Sequence, residues 1–168
     1  GQTLYHGGNF IFKSQDRGDN WKVISPNLAL SAIPAKKSFA AGALVESRLN
    51  KGWLYAGTDK GAFWVSKNDG ASWEEHSLGL ANNYIRSICP SRFVKSRVYL
   101  AMTGLNYDDL HSYLYVSEDD GANWKSIAAG LPDEPVNVVL EDPMQPNVLY
   151  VGTLRGVYVS LDRGESWS

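Results

Sequence analysis

Short apolar runs recur along the chain, among them Leu54-Tyr-Ala-Gly-Thr58, Ile85-Arg-Ser-Ile88 and Leu149-Tyr-Val-Gly-Thr153, and each is broken by glycine, proline, asparagine or aspartate before a helix could grow. No stretch keeps a convincing 3.6-residue period. The runs are rich in aromatic and β-branched residues, which suit a pleated, half-buried surface. In one representative unit the pattern predicts strands at about 84–89, 97–102, 113–117 and 124–128, with turns between them. Pro26 to Ala40 is the longest stretch without a strand signal and reads as a long loop with one helical turn.

The unit repeats. Ser14-Gln-Asp-Arg-Gly-Asp-Asn-Trp21, Ser66-Lys-Asn-Asp-Gly-Ala-Ser-Trp73, Ser117-Glu-Asp-Asp-Gly-Ala-Asn-Trp124 and Ser160-Leu-Asp-Arg-Gly-Glu-Ser-Trp167 align without gaps. Each is preceded by a second motif, at Leu4-Tyr5, Leu54-Tyr55, Val98-Tyr99 and Leu149-Tyr150. Four-stranded units at a period of about 40–50 residues are the signature of propeller blades. The units run over about 1–25, 41–77, 84–128 and 135–168, the outer two incomplete. The frame opens at the second strand of a unit and stops just inside a fourth. The expectation is therefore an incomplete part of a larger propeller, with a closed four-bladed ring as the alternative.

Each of these eight-residue segments, called a box below, has a local purpose. Gly18, Gly70, Gly121 and Gly164 stand where the turn needs positive φ. Asp16, Asn68, Asp119 and Asp162 can accept backbone N–H groups within the turn, a task that needs an acceptor oxygen and not a charge. Each tryptophan opens the fourth strand and can pack its ring over the hairpin; Trp167, whose strand is cut short, is the expected exception. Eight of the eighteen acidic residues lie inside boxes, which reads them as structural.

This constellation resembles the Asp-box, or BNR, repeat of the sialidase superfamily of propellers. Its wording, as in Asp142-Pro143 through Pro146-Asn147-Val148-Leu149-Tyr150, is most similar to sortilin-type receptors and xyloglucanase-like secreted bacterial proteins. The resemblance implies an all-β fold of antiparallel four-stranded blades and an extracytoplasmic location. It leaves two functions open: a non-enzymatic scaffold presenting loops to a protein or glycan, or part of a glycoside hydrolase whose catalytic residues lie mostly outside this chain. Sialidase activity is the weaker form of the second. The F/Y-R-I-P motif is absent, Tyr84-Ile-Arg-Ser87 departs from it, and Arg17 and Arg163 sit inside boxes. Arg86, on an inner strand, is the one arginine suited to a central channel.

Composition narrows the field. A net charge of −2 over 168 residues argues against a general nucleic-acid or membrane-surface binder. No apolar run approaches the roughly 18 residues that cross a bilayer. Cys89 is the single cysteine, so neither an internal disulfide nor a cysteine-based zinc site is expected. His6, His76 and His111 lie in separate units without metal-ligand spacing.

One loop stands apart. Where other units turn tightly, as at Thr58-Asp-Lys-Gly61 and Thr153-Leu-Arg-Gly156, the third inserts Leu105-Asn-Tyr-Asp-Asp-Leu-His111. Tyr107, Asp108, Asp109 and His111 are the binding candidates, together with Arg86. Asn106, Asp108 and Asp109 offer oxygen ligands for calcium, although no cofactor is otherwise expected. The plainer account is a loop packed on a neighbouring blade. No residue is assigned as catalytic, because glycosidase carboxylates must flank the bond from opposite sides. Expected partners are a protein or polysaccharide, the rest of a propeller, or a second copy meeting the open blade faces.

Overall fold

The computed structural model describes residues 3–168, which form four antiparallel sheets and two 3₁₀ turns. The first sheet holds β1 (Leu4–Gly7), β2 (Ile11–Ser14) and β3 (Lys22–Val23). The second holds β4 (Ala41–Glu46), β5 (Leu54–Thr58), β6 (Phe63–Ser66) and β7 (Glu74–Glu75). The third holds β8 (Tyr84–Pro90), β9 (Val98–Gly104), β10 (Asp109–Ser117) and β11 (Lys125–Ser126). The fourth holds β12 (Val136–Glu141), β13 (Leu149–Thr153) and β14 (Val157–Ser160), with Ser168 exchanging backbone bonds with Val159. In every sheet the strands pair in chain order, as propeller blades require.

The blades stack in sequence. β1 packs on β4, β4 on β8, and β8 on β12. Three apolar clusters fill the three joints. Ile11, Leu28, Leu54 and Trp64 lie between the first and second blades. Tyr55, Phe63, Ile85 and Met102 lie between the second and third. Tyr99, Leu114, Val139 and Leu149 lie between the third and fourth. The core is thus divided among joints, and each buried aromatic or branched side chain contributes about 1.5–3 kcal/mol. Among the described residues no core cluster and no backbone hydrogen bond joins the first blade to the fourth. The blades form an open arc, not a closed ring.

Each box is a closed set of hydrogen bonds. In the third, Ser117 Oγ accepts from Gly121 N at 2.7 Å and donates to Asp119 Oδ1 at 2.8 Å. Asp119 Oδ1 also accepts from Asn123 N at 2.8 Å, and its Oδ2 accepts from Asn123 Nδ2 at 2.7 Å. In the second box the amide of Asn68 does the same work, accepting from Ser72 N and donating to Ser72 Oγ, both at 2.8 Å. These donors hold the carboxylates of the other boxes ionised. The Asn20 side-chain amide, then its backbone N–H, then Ser14 bring Asp16 down to about 2. Ser166 and Ser160 do so for Asp162, also to about 2. Besides the glycine, the preceding residue also takes positive φ: Arg17, Asp69, Asp120 and Arg163 lie between 59° and 65°.

The box tryptophans reach beyond their own hairpins. Trp73 Nε1 donates to Ile24 O at 2.6 Å, Trp124 Nε1 to His76 O at 3.0 Å, and Trp167 Nε1 to Ile127 O at 2.9 Å. In each case the acceptor belongs to the preceding blade. Trp167 is therefore no exception to the pattern, because its ring needs the blade behind it and not the rest of its own strand. Trp21 is the exception: no blade lies behind it among the described residues, and it is 45% exposed.

The Pro26–Ala40 segment is a strap over the second blade. Leu28 is buried, and Pro34–Lys36 form the 3₁₀ turn. Glu75 accepts from Ser31 Oγ at 2.6 Å and from Ala32 N at 2.9 Å. The buried Lys36 ammonium caps Leu80 O and Ala81 O at 3.0 and 2.9 Å. Burial lowers its pKa to about 8, against the opposing pull of Glu75.

Candidate functional site

The site candidates cluster where β9 turns into β10. In the second blade, Thr58 Oγ1 accepts from Ala62 N at 3.0 Å and closes a tight turn. The third blade instead extends its hairpin past that point. Leu105–Tyr107 make a 3₁₀ turn, and Asp108 takes a left-handed φ of 56° that returns the chain to pair Asp109 with Gly104. Leu105, Tyr107 and Leu110 are left exposed.

Asp109 anchors this hairpin. Its Oδ2 accepts from Tyr113 OH at 2.8 Å and from Asn83 Nδ2 at 3.0 Å. Its Oδ1 accepts from His111 N at 3.1 Å and lies 2.8 Å from His111 Nδ1. Asn83 belongs to the connection entering the third blade, so the carboxylate ties the hairpin to the chain before β8. Burial pushes the Asp109 carboxyl up, but the bonds from His111, Tyr113 and Asn83 outweigh it and hold it far below the ordinary range. The same bond, followed by the charges of Asp133 and Asp109, raises the His111 pKa. Tyr113 is pushed up to about 12, by burial first and then by Asp109.

Tyr107 lies beneath Lys60 of the second blade, whose Nζ is 3.9 Å from the ring centroid. Asp108 is exposed at the tip. Arg86 does not join this group. It occupies a β-bulge in β8 between Ile85 and Ser87, with its guanidinium carbon 5.4 Å from the Tyr84 ring centroid. β4 and β12 carry the same bulge, at Gly42 and Asn137, which makes Arg86 the cation of that row. The structure therefore joins Asp109 with His111, sets Tyr107 against Lys60, and leaves Arg86 apart. Lys60, Asn83 and Tyr113 were not singled out from the sequence. Asn83 gives no local sign of its role, whereas Tyr113 stands four residues after Asp109, within reach along the hairpin.

An aspartate held this firmly ionised does not donate a proton at neutral pH. What the loop offers is hydrogen-bonding groups, an exposed imidazole and a cation-capped aromatic ring on a fixed backbone. Among the described residues, no group of three or more His, Cys, Asp or Glu side chains is placed to hold a metal ion.

Sheets of strands in chain order, box turns at every third-to-fourth strand corner and tryptophans stapling successive blades define a BNR/Asp-box β-propeller fold. The BNR-Asp box repeat family matches residues 11–24. An ancestral GH74 enzyme superposes on 99% of this chain and 22% of its own, with a TM-score of 0.76 and 20% identity. The GH74 xyloglucanase of Xanthomonas campestris covers 100% of this chain and 28% of its own, with a TM-score of 0.73 and 20% identity. YCF48 of Cyanidioschyzon merolae covers 81% of this chain and 40% of its own, with a TM-score of 0.56 and 16% identity. This chain spans about a quarter of the length of the two GH74 proteins. No curated protein matches it in sequence. No helix among the described residues is long and apolar enough to cross a membrane.

Proposed function

We propose that the chain is a non-enzymatic binding segment of a secreted or cell-surface β-propeller, and that the β9–β10 hairpin presents its ligand-contacting surface to a protein or glycan. The observation that supports this most is Asp109, whose four contacts fix a hairpin that then leaves Leu105, Tyr107, Leu110 and His111 facing solvent. A fixed backbone carrying exposed aromatic and polar groups binds at low entropic cost. Arg86 forms a second contact point in this reading, on the inner strand. No cofactor enters it: the Asp109 oxygens that calcium would need already receive N–H and O–H donors.

The second reading, part of a glycoside hydrolase with catalytic residues mostly elsewhere, draws support from the likeness to xyloglucanases over the whole chain. One experiment separates the two. Wild-type protein and Tyr107→Ala are incubated with a panel of soluble polysaccharides that includes xyloglucan, and both bound glycan and released reducing sugar are measured. Retention of a glycan without reducing-sugar release, weakened by Tyr107→Ala, supports the binding reading. Sugar release that depends on this chain overturns it.

A further inference from the structure

Two tyrosines hold the same place in neighbouring blades and meet different partners. Tyr55 is second in β5 and Tyr99 second in β9, and both are fully buried. Between the second and third blades, Tyr55 OH faces Asp120, the fourth residue of the third box. Tyr55 OH and Asp120 Oδ1 are buried and neither has any other partner. Burial first, then the Asp120 charge, push the Tyr55 pKa up. Asp120 Oδ2 accepts from Lys67 Nζ at 2.8 Å, and its backbone oxygen lies 3.1 Å from His76 Nδ1, so this corner of the joint is closed.

Between the third and fourth blades the corresponding residues are Arg163 for Asp120 and Ile127 for His76. Tyr99 OH is buried there without a hydrogen-bond partner. Arg163 and the nearby Arg97 carry only donors and cannot take its proton. The carboxylates close to Tyr99 are committed elsewhere. Glu118 receives Arg97 Nε on both oxygens at 2.9 Å, and Glu141 accepts from Ser91 Oγ at 2.7 Å and from Arg92 N at 2.6 Å.

Tyr99 lines a groove of about 650 Å³ with an apolar wall of Val116, Trp124 and Ile127. Its cations are Arg163 and Lys125, and among the described residues neither forms a salt bridge. Asp119 and Asp162 on the rim are taken up by donors of their own boxes. Glu165 is the one lining carboxylate not engaged in this way, and it is exposed. The grooves at the same corner between the first and second blades take no lining from beyond Trp73, so this corner is built by the box and the blade before it.

We propose that this groove binds a small carboxylic acid with an apolar body, its carboxylate set between the Tyr99 hydroxyl and the Arg163 guanidinium as the Asp120 carboxylate is set between Tyr55 and Lys67. The hydroxyl donates, the guanidinium pairs with the charge, and the body lies against Val116, Trp124 and Ile127. The rim carboxylates disfavour a dianion such as phosphate. The site lies at the box end of β10, opposite the β9–β10 hairpin, and does not depend on the function proposed for that hairpin.

Phenylacetate titrated into the isotope-labelled chain, with uncharged phenylacetamide as the control, tests this by nuclear magnetic resonance. The indole N–H signals of Trp124, which lines the groove, and Trp167, whose Nε1 donates to Ile127 O, should shift with the acid and not with the amide. Tyr99→Phe should weaken binding about tenfold without lowering the melting temperature, since the hydroxyl it removes has no partner. Arg163→Asp gives this joint the arrangement of the one before it, at a φ of 62° against 59° for Asp120. It should abolish binding and raise the melting temperature. Equal shifts with the acid and the amide, or phenylacetate binding that survives Arg163→Asp in the folded protein, would overturn the proposal.

Discussion

Replacing Gly121 with alanine tests the box joint directly, because two separate costs meet there. The residue holds φ +89°, a region an L-residue enters at about 1–2 kcal/mol. A methyl group at that position would also stand 2.6 Å from Phe63 Cε1 and 3.1 Å from Trp124 Cζ2. Phe63 is fully buried and packs edge-on against Trp124 with ring centroids 5.0 Å apart, so it has little room to yield. Crowding of this kind adds about 1–3 kcal/mol, for a total of about 2–5 kcal/mol. Gly18 isolates the first cost: its φ is +104°, but its nearest neighbours would be 3.7 Å away. Gly18→Ala should therefore lose only about 1–2 kcal/mol. Urea unfolding followed by tryptophan fluorescence, read at constant m-value, gives both numbers. Relaxing the wall with Phe63→Leu should return part of the Gly121→Ala loss but none of the Gly18→Ala loss. Equal losses at the two glycines would refute the joint contact, and an unchanged midpoint at both would refute the turn geometry.

Three further outcomes follow from the same structure. Trp124→Phe should lower stability by about 1–3 kcal/mol, since it strands the carbonyl of His76, whereas Trp21→Phe should change the melting temperature little. Lys36 has its folded pKa lowered from 10.5 to about 8, so between those values the unfolded chain binds the extra proton and stability rises with pH; the wild type minus Lys36→Met difference, measured by denaturant midpoints from pH 7 to 10, should show that rise, and a flat difference would contradict it. Asp162, lowered from 3.8 to about 2, contributes stability that is complete above the unfolded value and is lost as pH falls through the folded one; Asp162→Asn, with Ser166 able to serve it as Ser72 serves Asn68, should hold near neutrality and lose less on acidification.

What was legible in the sequence is what is settled within a few residues. Ser117, Asp119, Gly121 and Asn123 satisfy one another across four positions, so their spacing alone exposes the turn. The tryptophans show the limit. Their indole acceptors lie 49, 48 and 40 residues upstream for Trp73, Trp124 and Trp167, and nothing near each ring reveals that it faces backwards. The pattern within the repeat therefore singles out Trp167, whose strand is short, whereas the exposed ring is Trp21 at the other end. Lys36 is similar: beside Lys37 it reads as one of two surface lysines, and only the 3₁₀ turn of the strap sends it inward. At the candidate site the inserted loop was visible by length, and Asp109 and His111 came together as neighbours on one hairpin. Asn83 and Lys60 entered through packing between segments. Arg86 was separated from them by a bulge that no spacing rule displays.

The outermost strands of the second and third blades are only two residues long, and each is held from the far side by the next blade's indole, through His76 O and Ile127 O. A blade in this chain is therefore not the unit that opens and closes. The unit runs from the middle of one blade to the box of the next, and it has a direction. Loss of a box should fray the strand behind it, so amide protons near β7 should exchange faster when the third box is damaged, while those of β13 stay protected. Damage in such an arc is felt upstream of where it occurs.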